Sequence, residues 1–107
     1  MQINEYQALA GRTINRELSA QEIIWHALFG LCAEVGEIHS LFQKRYQGHQ
    51  LKRSDLRKEV GDCLWMLAEL CTVHGWSLDD ICAENIEKLK ARYPDGFSEE
   101  RSLHREE

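Results

Sequence analysis

The chain has 107 residues, 43% of them hydrophobic, which suits one domain with a modest core, and a formal net charge of −5. Its Lys and Arg residues are spread among the acids and form no stripe, which excludes the electrostatic footprint of a nucleic-acid binder. No apolar run nears the roughly 20 residues needed to cross a bilayer, and Met1-Gln2-Ile3-Asn4-Glu5 has no signal-peptide character, so the expectation is a soluble cytoplasmic protein with no membrane partner.

The single proline, Pro94, lies near the end, and apolar residues never alternate in a strand-like period. The fold class expected is all-α, a four-helix bundle-like domain over residues 1–97 followed by a charged, mobile tail over 98–107. Asn4 is placed to cap a first helix over about 5–17, with Tyr6, Leu9, Ala10 and Ile14 on one face. Ser19-Ala20-Gln21-Glu22 has the form of a capping box and opens a second helix over about 21–46. Ile24, Leu28, Leu31, Val35, Ile38 and Phe42 follow the helical period there.

Tyr46-Gln47-Gly48-His49-Gln50 is a short polar connection, and Ser54 is a plausible cap for a third helix over about 54–74 that carries Leu56, Val60, Leu64, Leu67 and Cys71. Ser77-Leu78-Asp79-Asp80 starts a fourth helix over about 78–93, which Tyr93-Pro94-Asp95-Gly96 stops. The four cysteines, Cys32, Cys63, Cys71 and Cys82, lack metal-ligand or redox spacing and read as reduced, buried small hydrophobes. Trp25, Phe29 and Cys32 give the second helix an apolar side away from its main stripe, which favours self-association as a homodimer or dimer of dimers.

The chemistry sits in two similar tetrads, Glu34-Val35-Gly36-Glu37 and Glu59-Val60-Gly61-Asp62. Residues three apart share a helix face, so each tetrad projects two acids the same way. The short connection makes helices two and three antiparallel neighbours, and Glu37 and Glu59 then lie roughly 13 Å and 9 Å from the bend at 1.5 Å per residue. The two pairs reach similar heights and can converge, where they would repel unless a cation sat among them.

Glycine inside a helix costs about 1 kcal/mol relative to alanine, so Gly36 and Gly61 call for a close approach of backbone or ligand. Four hard oxygen donors without a Glu-x-x-His extension point to Mg²⁺, with Mn²⁺ possible, over iron or zinc. Lys44 and Arg45 lie two turns beyond Glu37, within reach of further anionic charge. Trp25 and Trp65 suit core, interface or stacking on a base. His26, His39, His49, His74 and His104 show no ligand spacing with the acids and stay outside the expected site.

With E-x-x-E followed by E-x-x-D on consecutive helices, the sequence resembles the MazG-like all-α nucleoside triphosphate pyrophosphohydrolases. The resemblance runs from Asn4-Glu5-Tyr6-Gln7 through the acid pairs to the segment Asn85-Ile86-Glu87-Lys88-Leu89-Lys90-Ala91-Arg92-Tyr93-Pro94. It implies a helical bundle that assembles as a dimer or tetramer, binds Mg²⁺ and cleaves (d)NTPs to nucleoside monophosphate and pyrophosphate, with housecleaning of the nucleotide pool as the expected role. Carried over by position, Glu34, Glu37, Glu59 and Asp62 match the family's metal-binding and catalytic acids, and Asn85, Lys88 and Arg92, more loosely, its substrate-binding positions. Two other readings compete. One is a helical module that binds nucleotide or a partner without turnover; the other, a di-iron carboxylate oxidase, lacks histidine ligands near the acids.

Overall fold

The protein is described by a computed structural model covering residues 1–104. Five helices follow in chain order: α1 Ile3–Gly11, α2 Ala20–Tyr46, α3 Arg53–Val73, α4 Leu78–Arg92 and α5 Glu99–Leu103. No strand occurs among the described residues, only an isolated bridge between Pro94 and Gly96. The all-α expectation holds.

Local chemistry explains most boundaries. At the start of α2 the Ser19 hydroxyl accepts from the Glu22 amide at 3.2 Å while the Glu22 carboxylate accepts from the Ser19 amide at 3.0 Å, a complete capping box. Hydrogen bonding of the carboxylate to the Ser19 amide first, and then to the Ser19 side chain, holds the Glu22 carboxyl below its ordinary range. After Val73 and the cap residue His74, Gly75 takes φ +74°, the left-handed turn that ends a helix without a Cβ penalty. Ser77 caps α4 by accepting from the Asp80 amide.

Three expected details differ. The first helix stops at Gly11, not 17, because Thr13 donates to the Ala10 carbonyl and Asn15 accepts from the Glu17 amide, side-chain bonds that divert the backbone into turns. Asn4 lies inside α1 and accepts from the Ser77 hydroxyl at 3.2 Å, while Gln2 occupies the cap position without a side-chain bond. Ser54 is likewise inside its helix, whose cap position is Lys52. The expected tail contains α5, capped by Ser98, and residues 105–107 of it lie outside the described residues.

The long α2–α3 hairpin is the backbone of the molecule. Ile23, Ala27 and Met66 are buried along it. Gly30 faces Met66 across it, where a Cβ would fall on the Met66 sulfur. Helix α1 crosses α3, where Ile3, Tyr6 and Ala10 pack on Ala68, Cys71 and Leu78.

One amide ties this corner together. Gln7 donates from Nε2 to Thr72 Oγ1 at 3.1 Å and to the Trp76 carbonyl at 2.8 Å, and its Oε1 accepts from the Leu78 amide at 2.7 Å. The last bond satisfies a donor that the first turn of α4 would otherwise leave unmet. Helix α4 packs chiefly on α1 and not along the hairpin. The resulting radius of gyration, 17.1 Å, exceeds the about 13 Å of a compact chain this long.

That openness leaves apolar surface uncovered. Leu28, Val35, Val60, Leu64 and Leu67 on the hairpin and Ile81, Ile86 and Leu89 on α4 are all exposed by more than a third, and Phe29 reaches 70%. The cysteines divide in the same way. All four are free thiols, but only Cys71 is buried and Cys63 half-buried, while Cys32 and Cys82 are exposed, against the expectation that all would be inside. Cys32 lies on a side of α2 left exposed by the described residues.

Candidate metal centre

Antiparallel pairing of α2 and α3 sets Glu34 opposite Glu59 and Asp62. One carboxylate oxygen from each of the three lies within 4.8 Å of the others, and all three side chains are half-buried. The convergence expected from the two tetrads is therefore present for three acids of the four. Glu37, one turn further along α2, is exposed and outside this group.

The electrostatics follow from the crowding. Glu34 has its pKa raised, first by a hydrogen bond with Glu59, then by partial burial and by the negative charge of Asp62, Glu59 and Glu37. Every charged group that shifts Glu34 is an acid. The Cys63 thiol, next to Asp62 on α3, is pushed up by burial and then by the carboxylates of Glu34, Glu59 and Asp62. Tyr6 is raised by burial and then by Asp62. Such a pocket of negative potential suits a hard divalent cation bound by oxygen donors.

The remaining expected residues are dispersed. Lys44 is exposed in the last turn of α2, ten residues and about 15 Å of helix from Glu34. Asn85 and Lys88 are exposed on α4 and Arg92 is half-buried at its end, on a helix seated against α1. Trp65 donates its indole N–H to Thr13 Oγ1 at 2.8 Å and so anchors the loop after α1, while Trp25 is half-exposed. A Cβ added at Gly36 or Gly61 would meet no atom within 4 Å, so neither glycine serves close packing inside the chain; Gly30 does.

Sequence reasoning missed one polar pair. Glu69 on α3 is only 3% exposed, and His26 Nδ1 on α2 lies 2.6 Å from its Oε2. The available signal was an acid set inside the most apolar run of α3, Leu64-Trp65-Met66-Leu67-Ala68-Glu69-Leu70.

A family model, the MazG nucleotide pyrophosphohydrolase domain, matches residues 26–97. The chain belongs to the MazG family. The matched stretch contains both acid tetrads and the whole of α3 and α4. No curated protein and no solved structure matches the chain. No helix among the described residues is long and apolar enough to cross a membrane.

Proposed function

We propose that this MazG-family protein hydrolyses (d)NTPs to (d)NMP and pyrophosphate, as a step in nucleotide-pool housecleaning in the cytoplasm. The observation that carries the reading is the meeting of Glu34, Glu59 and Asp62 within 4.8 Å inside the matched domain. A bound Mg²⁺, or Mn²⁺ in its place, would supply neutralisation of the phosphate oxygens and a lowered pKa for water.

In this reading Glu34, Glu59 and Asp62 hold the metal, with Glu37 beside them. One of these acids accepts the proton of a water attacking the α-phosphorus. Lys44, Asn85, Lys88 and Arg92 bind the polyphosphate. The uncovered apolar residues of the hairpin and of α4 support assembly into a homodimer or dimer of dimers, which would remove them from water. Association would also set α4 of one copy, with its cations, against the hairpin of another.

The test is release of pyrophosphate from a panel of NTPs and dNTPs with and without Mg²⁺. Pyrophosphate in step with nucleoside monophosphate is the expected result. Orthophosphate alone, or tight nucleotide binding with no product at any divalent metal, would replace this reading with that of a non-catalytic module.

A further inference from the structure

Glu69 is the one buried charged side chain among the described residues, and its hydrogen bond to His26 joins the two helices that carry the acid trio. His26, Gly30 and Glu34 stand at successive turns of α2, each about 6 Å from the next. Across the seam they meet Glu69, Met66, and Glu59 with Asp62. These are three rungs of one ladder. Because both helices are stiff rods, a slip at the first rung moves the third by the same amount.

The middle rung is apolar and has no directional bond, so the packing of the Met66 thioether over Gly30 follows the register without setting it. The first rung is directional. A 2.6 Å contact between an imidazole nitrogen and a carboxylate oxygen survives only a narrow range of offsets. A buried acid paired with a half-exposed histidine is also a poor way to gain stability, because an apolar pair of similar size commonly does as well or better. The best-attested reason to keep such a pair is to specify one register.

We infer that His26 and Glu69 are positioning residues that fix the α2–α3 register and thereby hold Glu34 against Glu59 and Asp62. Neither belongs to the acid trio. The inference rests on the metal-site reading above, and its test separates the two.

The test uses the full chain and the double variant His26→Leu/Glu69→Leu, which leaves no stranded charge, alongside His26→Asn, whose amide nitrogen takes the place of Nδ1 and still donates to Glu69. Register is read in metal-free protein from the nuclear Overhauser effect between the Met66 methyl and the Gly30 Hα, a clean probe in a chain with two methionines. Metal binding is read by Mn²⁺ titration with electron paramagnetic resonance. The double variant should keep its helical circular dichroism and thermal midpoint, lose or weaken the Met66–Gly30 effect, and bind Mn²⁺ about tenfold or more weakly, as expected for a group that orients metal ligands. His26→Asn should retain both.

A double variant with the wild-type effect and wild-type Mn²⁺ affinity would overturn the inference, since a merely structural pair predicts that result. So would a double variant that unfolds while His26→Asn loses Mn²⁺ affinity with its Met66–Gly30 effect intact. If the wild type bound no divalent ion, the function proposed above would fall, and the nuclear Overhauser effect alone would decide whether the pair sets the register.

Discussion

Carboxylates enter the α2–α3 seam at two heights. At the upper one Glu34, Glu59 and Asp62 crowd together, and each charge acting on Glu34 is negative. Two turns away Glu69 is more deeply buried, yet it has the His26 imidazole at 2.6 Å. The same problem, acid placed where water is scarce, is met within the chain at one height and left open at the other. An unmet cluster is relieved either by something outside the chain or by a proton, and the upward shift of the Glu34 pKa records the crowding that either would relieve.

The largest contrast is catalytic. Glu59→Gln should lower pyrophosphate release by more than the about 10- to 100-fold that loss of a supporting outer group costs, with circular dichroism unchanged. A rate within threefold of wild type would place the metal elsewhere.

Divalent ion should also act on stability. Saturation at 100 times its dissociation constant corresponds to about 2.7 kcal/mol, visible as a raised thermal midpoint. Without metal the sign reverses with pH. Glu34 has a folded pKa above its unfolded value, so its stabilising contribution is complete at low pH and is lost as pH rises through the folded pKa. Metal-free protein should therefore resist urea less well at neutral pH than just above the ordinary glutamate range. Glu34→Gln should flatten that difference, and a slope unchanged by this substitution would show that the crowding is not felt.

Removing a charge should have opposite signs at the two heights. His26→Leu strands the Glu69 carboxylate and should cost about 1–3 kcal/mol in urea unfolding. Glu34→Gln relieves repulsion and should stabilise the metal-free protein. Equal signs for the two would collapse the distinction.

The smallest effect concerns the glycines. Gly36→Ala meets open space within the chain and should gain up to about 1 kcal/mol from helix propensity. Gly30→Ala drives a methyl onto Met66 and should lose stability instead. A Gly36→Ala variant that is more stable but less active would locate the approaching ligand or copy of the chain at that position.

Much of this was legible in the residues. The spacing of Glu34, Glu59 and Asp62 on two helices joined by a short turn was enough to bring them together, and Ser19 with Glu22 marked the start of α2 correctly. The end of α1 was not legible, since it depends on Thr13 and Asn15 choosing backbone partners over the helix. The helical pattern marked Trp25, Phe29 and Cys32 as an apolar side in need of cover, but burial preference placed all four cysteines inside. Cys32 and Cys82 are exposed among the described residues, because such a preference records which residues avoid water and not which neighbour shields them. The His26–Glu69 pair needed the register of two helices, a quantity no one-dimensional pattern contains.

The most direct measurement is Mn²⁺ titration followed by electron paramagnetic resonance on wild type and on Glu34→Gln, Glu59→Gln and Asp62→Asn. The account predicts saturable binding by wild type and a severe loss in each of the three variants. Wild-type affinity retained in all three would contradict it.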